Sequence, residues 1–194
     1  MSETVLIQQP EDFHNLPNEE QQKLWEQWMY HDDYWDPADT LENYMDINSI
    51  FLSTERLINW GTGRGYGVDV LLQIDVALAF DKYYHQQMAH PGDIFGFIGH
   101  HYWMLKHLIG NSCLLYDSRE RYVDPANEHW YSYRDGNTRM RIFCEDFQGF
   151  MENSASDYVG DMSSTLQKEE DYYSSEEHLI EQLICNEVEV TYEV

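Results

Sequence analysis

The sequence predicts an α+β protein in which an antiparallel sheet packs against several amphipathic helices. Three observations support this class. Apolar residues recur at helical spacing near both chain ends, and they alternate with polar residues from Val68 to Ile74. An Asp135-Gly136 pair separates two runs of aromatic and β-branched residues, which is typical of a β-hairpin. Because 194 residues with 42% hydrophobic content can fill a core, we expect residues 1–194 to form one acidic domain.

The sequence predicts a helix with an acidic outer face at each end of the chain. The first covers Glu19–Tyr30, where apolar residues fall on one side of a helix and two glutamates occupy the first turn. The second opens at Ser174–Glu177, a serine N-cap followed by acids, and we expect Glu177, His178 and Glu181 to point outward. The predicted buried stripes are Leu24, Trp25, Trp28 and Met29 in the first helix, and Leu179, Ile180, Leu183 and Ile184 in the second.

The middle of the chain combines a strand with two helices. Strict alternation predicts a strand near 67–74, and Asp75 is a suitable N-cap for a helix running toward Pro91. A second, more apolar helix is predicted at Ile94–Ile109, capped by Asp93 and ended by Gly110. A short helix is also expected at Thr54–Trp60.

The remaining segments are predicted mainly as strands and turns. The clearest is a central hairpin over about 129–143, since glycine in Asp135-Gly136 tolerates the positive φ that the turn needs. Residues 153–171 are rich in Ser, Asp and Glu, which predicts a loop or mobile acidic segment. The other expected elements are strands at Cys113–Tyr116, Arg121–Val123 and Val188–Val194 and a short helix at Glu145–Glu152.

Charge is the most informative property of the composition. The chain has 36 acidic and 11 basic residues, a formal net charge of −25. Residues 1–50 and 151–194 each contain 12 acids and one base, so both ends are acidic while the middle is nearly neutral. Such an excess opposes binding to nucleic acid or anionic membranes and favours a basic partner. Adaptation to strong brine is the alternative, although it should spread the carboxylates along the whole chain.

No motif predicts catalysis or a cofactor. The glycine-rich run 61–67 lacks the Lys-Ser/Thr of a P-loop and leads into a predicted strand, so a plain loop is favoured. The histidines have no metal-binding spacing, and no nucleophile motif is present. We therefore expect no enzyme activity, no cofactor and no metal. The histidines considered were His85, His90, His100, His101 and His107.

Cysteine usage and the N-terminus bear on the compartment. Cys113, Cys144 and Cys185 lack C-x-x-C spacing, which predicts buried, reduced thiols rather than disulfides or a zinc site. The first residues lack the basic and apolar regions of a signal peptide. We expect neither secretion nor membrane insertion, and a protein of the host-cell cytoplasm.

The candidate partner-binding residues are clustered carboxylates with neighbouring aromatic side chains. Carboxylates three or four positions apart on a helix stand about 5–6 Å apart, which suits imitation of a phosphate backbone. Aromatic residues beside them supply anchors common in protein interfaces. The predicted set is Glu19, Glu20, Glu26, Asp32, Asp33, Trp35, Asp36, Asp39, Glu42, Asp46, Glu169, Glu170, Asp171, Glu177 and Glu181.

In composition and charge layout the chain resembles the broad class of acidic nucleic-acid mimics that viruses and mobile elements use against restriction or CRISPR enzymes. This resemblance implies an inhibitor that occludes the basic DNA- or RNA-binding site of a nuclease complex. Two alternatives stay open: an immunity protein that neutralises a basic toxin, and an acidic adaptor or chaperone for basic proteins. The predicted hairpin followed by Phe143–Met151 resembles the end of the immunity-domain family typified by yeast cell-wall regulators.

Overall fold

A computed structural model describes residues 2–28, 36–48, 51–60 and 67–193. It is an α+β fold with antiparallel sheets, which confirms the predicted class. No helix in these ranges is both long and apolar enough to span a membrane. The elements are β1 (Ser2–Leu6), α1 (Pro10–His14), α2 (Asn18–Trp28), α3 (Pro37–Asn48), β2 (Leu52–Trp60), β3 (Val68–Asp75), α4 (Val76–Ala89), α5 (Phe95–Ile109), β4 (Cys113–Asp117), β5 (Tyr122–Val123), a 3-10 helix (His129–Gly136), α6 (Thr138–Tyr173), α7 (Glu176–Cys185) and β6 (Glu189–Glu193).

The chain divides into two compact units. The terminal unit comprises Met1–Leu41 and Thr165–Val194, so it is built from both chain ends. The central unit comprises Glu42–Ser164. Helix α6 contributes residues to both units, since the division falls between Ser164 and Thr165.

The central unit contains a four-stranded antiparallel sheet in the order β2-β3-β4-β5. Strand β3 buries its even-numbered side chains from Val68 to Ile74, which confirms the alternation predicted from the sequence. The carboxylate of Asp75 then accepts a hydrogen bond from the Leu78 N–H at 3.0 Å. Asp75 is therefore the N-cap of α4, as predicted.

Strand β2 replaces the short helix expected at Thr54–Trp60. It pairs with β3 from Leu52 opposite Ile74 to Trp60 opposite Val68. Two register shifts interrupt this pairing, and an extra residue at each shift breaks the simple period of two. The sequence of β2 therefore lacks the regular alternation that predicts a strand.

Helix α5 ends as predicted but begins differently. Gly110 follows the helix with φ of +58°, a left-handed conformation that glycine adopts readily. The expected cap by Asp93 is wrong, because Ile94 is the N-cap and no side chain caps the helix.

The predicted short strand after β4 is confirmed at Tyr122–Val123, just after Arg121 with φ of +54°.

The hairpin predicted over about 129–143 is wrong. A 3-10 helix occupies His129–Gly136, α6 begins at Thr138, and Gly136 does not take the positive φ of the expected turn. Burial explains the difference, since Trp130 is fully buried against Phe147 of α6, with ring centroids 5.6 Å apart. Packing in the core outweighs the local turn signal. The resemblance to the immunity-domain family depended partly on this hairpin, which the structure does not contain.

The loop expected at 153–171 is also wrong, because these residues continue α6. Buried apolar residues recur every three or four positions along the helix, which fixes it as a core element. The short helix expected at Glu145–Glu152 is part of the same helix. The buried stripe consists of Met140, Phe143, Cys144, Phe147, Met151, Ala155, Tyr158, Met162 and Leu166.

Candidate functional site

The two acidic chain ends fold into the terminal unit. This unit contains 19 acidic and two basic residues, a formal net charge of −17 out of the −25 of the whole chain. The central unit, with 17 acidic and nine basic residues, contributes −8. Acidic segments far apart in sequence are therefore brought together by folding.

Strand pairing joins the chain ends. Strands β1 and β6 are antiparallel, with Thr4 opposite Thr191, and the two hydroxyls lie 2.9 Å apart. The pairing continues where the Ile7 N–H donates to the Val188 carbonyl at 3.0 Å. Side chains from both ends also fill one hydrophobic core, so a single scaffold holds the carboxylates on their outer faces. That core consists of Ile7, Phe13, Leu16, Leu24, Leu179, Ile180, Leu183 and Val190, with Trp25 and Trp28 packed against it.

Helix α2 exposes two of its three predicted contact carboxylates. Glu19 and Glu26 are exposed, and Glu26 accepts a hydrogen bond from the Gln22 amide at 3.0 Å. Glu20 is half-buried and pairs with Lys23, whose Nζ lies 2.6 Å from Glu20 Oε1. This hydrogen bond raises the pKa of Lys23. Because Lys23 offsets the charge of Glu20, Glu19 and Glu26 are the better contact residues.

The carboxylates at the start of α3 have different roles. Asp36 Oδ1 accepts a hydrogen bond from the Ala38 N–H at 2.9 Å, so Asp36 supports the helix N-terminus just before Pro37. Asp39 is exposed in the first turn. The predicted contact residues Asp32, Asp33 and Trp35 lie outside the described residues, as do the side chains of Glu42 and Asp46.

The end of α6 contains three of the predicted contact carboxylates, of which only Asp171 is exposed. Glu169 is half-buried and accepts a hydrogen bond from the hydroxyl of Thr40, which is buried. Glu170 Oε2 and Asp171 Oδ1 each lie 3.0 Å from the Gln167 side-chain nitrogen. Glu169 therefore stabilises the terminal unit, while Glu170 is also half-buried and Asp171 is exposed.

Helix α7 exposes both of its predicted contact carboxylates. The Ser175 hydroxyl accepts a hydrogen bond from the His178 N–H at 3.1 Å, which confirms the predicted helix start. Glu177 and Glu181 are exposed on the following turns. Glu181 accepts a hydrogen bond from the Tyr172 hydroxyl at 2.7 Å, and this bond raises the pKa of Tyr172 to about 12. Glu181 is therefore held in position by a tyrosine, while Glu177 stands beside it.

The outward orientation expected for His178 is wrong. This residue is only 5% exposed, and its ring contacts those of Tyr172 and Tyr173 with both centroid separations at 4.9 Å. Burial lowers the pKa of His178. The buried face of α7 is wider than the predicted stripe, because it also includes His178, which is covered by two aromatic residues at the end of α6.

The acidic residues of β6 are exposed carboxylates that lie outside the predicted contact set. Glu189 and Glu193 are exposed, and Val190 between them is buried. The period of two in Val188–Val194 predicts this alternation, so the signal was available once the strand was recognised. Glu176 was also omitted, and its Oε1 lies 3.7 Å from Nδ1 of His14. These residues extend the set of exposed carboxylates in the terminal unit.

The remaining candidate sites are the possible metal ligands, the cysteines and the glycine-rich run. In those ranges no group of three or more His, Cys, Asp or Glu side chains is arranged to hold a metal ion. All three cysteines are free, and burial raises the pKa of Cys144 to about 12. The expectation of buried thiols is wrong for Cys113 and Cys185, which are exposed. Most of the glycine-rich run, residues 61–66, lies outside the described structure.

Comparison with known proteins gives no family for the chain. No protein-family model, curated protein or solved structure matches it. The basis for a functional proposal is therefore the charge and geometry of the terminal unit.

Proposed function

We propose that this protein is an acidic mimic of nucleic acid that occludes the basic DNA- or RNA-binding site of a nuclease complex. The observation that carries the proposal is the net charge of −17 on one folded unit built from both chain ends. A field of one sign steers a basic partner toward such a surface and raises the association rate. The same field opposes direct binding to DNA, RNA or anionic membranes.

The rigidity of the carboxylates supports mimicry over simple solvation. Glu19 and Glu26 lie on α2, and Glu177 and Glu181 lie on α7, and both helices are anchored in the same hydrophobic core. Carboxylates on a packed scaffold lose less conformational freedom on binding than carboxylates on a flexible tail. A partner with a phosphate-binding groove would therefore meet a preorganised anionic surface.

The proposed setting is the host-cell cytoplasm, where a phage or mobile-element protein acts against a restriction or CRISPR complex. An acidic adaptor or chaperone would share the electrostatics but bind many basic proteins. An immunity protein would bind one toxin. The nature of the captured partner separates these functions.

Affinity capture tests the proposal. Tagged protein should retain a small number of nucleic-acid-binding proteins from host lysate at physiological salt, and adding it should reduce the nuclease activity of the retained complex. A tagged variant with Glu19, Glu26 and Glu177 changed to glutamine serves as the control and should retain less of this complex. Retention of many unrelated basic proteins, or of one partner without nucleic-acid-binding activity, would contradict the proposal.

A further inference from the structure

A polar groove lies between α4 and α6 of the central unit. Two adjoining cavities, of about 250 and about 450 Å³, share Ser154 and Asp157 in their linings. Helix α4 contributes Lys82 and Tyr83 to the linings, and α6 contributes residues from Glu145 onward. All described residues that line the groove belong to the central unit.

The groove is acidic. Among the described residues, its lining contains one cation, Lys82, whose Nζ lies 4.9 Å from the centroid of the Phe51 ring. Lys82 takes part in none of the ion pairs found among the described residues. Burial and the neighbouring Glu145 raise the pKa of Asp146, as expected where a carboxylate lacks a nearby cation. Four carboxylates are found among the described lining residues, all on α6 and all exposed: Glu145, Asp146, Asp157 and Asp161.

Two buried tyrosines also line the groove. Tyr83 is 2% exposed and Tyr158 is 7% exposed. Neither hydroxyl has a hydrogen-bond partner among the residues that the structure describes. Burial raises the pKa of Tyr158 to about 12, so its hydroxyl keeps its proton near neutral pH. A buried hydroxyl without a hydrogen-bond partner is energetically unfavourable, so the groove is lined by two side chains whose polar atoms are unsatisfied.

The length and polarity of the groove favour an extended chain. From Asp146 to Asp161 the helix extends about 22 Å at a rise of 1.5 Å per residue. This distance matches about six or seven residues of extended peptide at ~3.3 Å each. Gln86 and Asn153, both exposed, line the groove and offer amide donors and acceptors. A Cβ added at Gly149 meets nothing within 4 Å, so the groove is open at this position.

We propose that this groove binds an extended basic peptide segment of a partner protein. Its lysine or arginine side chains lie against the carboxylates of α6, and its backbone hydrogen-bonds to Gln86 and Asn153. A polyamine would satisfy the carboxylates but make little use of the amides. The proposal goes beyond competition with nucleic acid, because it concerns the central unit and requires no nuclease.

Fluorescence anisotropy with a labelled octapeptide of alternating arginine and glycine tests this site at physiological salt. Changing Asp157 and Asp161 to asparagine should weaken binding by about tenfold or more, since each lost ion pair contributes up to ~1 kcal/mol. Gly149→Leu should weaken it similarly by filling the groove, with no change in charge. Gly149→Ala, which adds only one methyl group and favours the helix, should fold normally and retain most of the binding.

The charge-matched control removes two carboxylates from the terminal unit, Asp171→Asn with Glu177→Gln. It should change peptide affinity by less than about twofold, because neither residue lines the groove. Equal weakening by the groove pair and the control pair would show attraction by overall charge and overturn the proposal. Absence of wild-type binding at millimolar peptide, or displacement by spermidine at the same concentration as by unlabelled peptide, would also overturn it. The peptide measurements do not depend on the proposed function: if the terminal unit captured no partner, the expected effects on peptide binding would be the same.

Discussion

Changing Glu19, Glu26 and Glu177 to glutamine should weaken the complex with the basic partner by about tenfold to a hundredfold. Each charge pair at an accessible interface contributes up to ~1 kcal/mol, and tenfold in affinity corresponds to about 1.4 kcal/mol. These residues are exposed on α2 and α7, whereas Glu20 is paired with Lys23 and Glu169 with Thr40. The fold should be retained, since removing like charges reduces repulsion in the terminal unit. Isothermal titration of the captured partner measures the change.

A matched variant removes three exposed carboxylates from the central unit: Asp93→Asn, Glu120→Gln and Asp135→Asn. It removes the same number of negative charges and should bind the partner within about twofold of wild type, because these three residues belong to the central unit and not to the proposed contact surface. If both triple variants lose the same affinity, the total charge and not the terminal surface determines binding. If neither loses affinity, the carboxylates serve only solvation.

Leu183→Ala should destabilise the terminal unit by about 2–5 kcal/mol, the range for deleting a fully buried leucine. Leu183 is fully buried in the core that both chain ends share. Its loss should therefore increase amide hydrogen exchange in β1 as well as β6, although about 180 residues separate β1 from the mutation in sequence. Hydrogen exchange followed by mass spectrometry measures both strands.

Leu105→Ala is the matched control, because Leu105 is equally buried but lies on α5 in the central unit. It should increase exchange mainly in α5 and the elements of the central unit. Wild-type protection of β1 in Leu183→Ala would contradict a core shared by the two ends.

Local patterns in the sequence predict much of the fold. Strand β3 and the Asp75 cap of α4 follow from strict alternation and a local hydrogen bond. The predicted stripe of the first helix is confirmed in α2 for Leu24, Trp25 and Trp28, while Met29 lies outside the described residues. The stripe containing Leu179 and Leu183 is confirmed in α7. In each case the determining contacts repeat every two, three or four residues, and so they are visible in a short window.

The region 129–173 shows why a local signal can mislead. The turn pair Asp135-Gly136 predicts a hairpin, and the polar residues after 153 mask the helical spacing that begins at Met140. Tertiary burial of Trp130 and of the α6 stripe decides the structure. Polar residues on the outer face of a long helix resemble a loop in composition, and only the buried face distinguishes them.

The candidate site depends on contacts that no local window contains. The acidic composition of both ends was evident, but their association rests on pairing across the length of the chain, such as Thr4 with Thr191. The distinction between contact and structural carboxylates depends in the same way on Glu169 and its partner Thr40. The charged residues are therefore predictable from the sequence, but which of them are exposed for contact with a partner depends on the tertiary structure.

Competition between this protein and nucleic acid for the captured partner tests mimicry most directly. A labelled duplex is titrated with the partner at increasing concentrations of the protein, after a gel shift has established that the protein alone does not bind the duplex. If the protein occupies the nucleic-acid-binding site, the apparent dissociation constant of the duplex should rise in proportion to the protein concentration, without a plateau and without a ternary complex. A plateau, or a complex containing partner, duplex and protein together, would contradict the account.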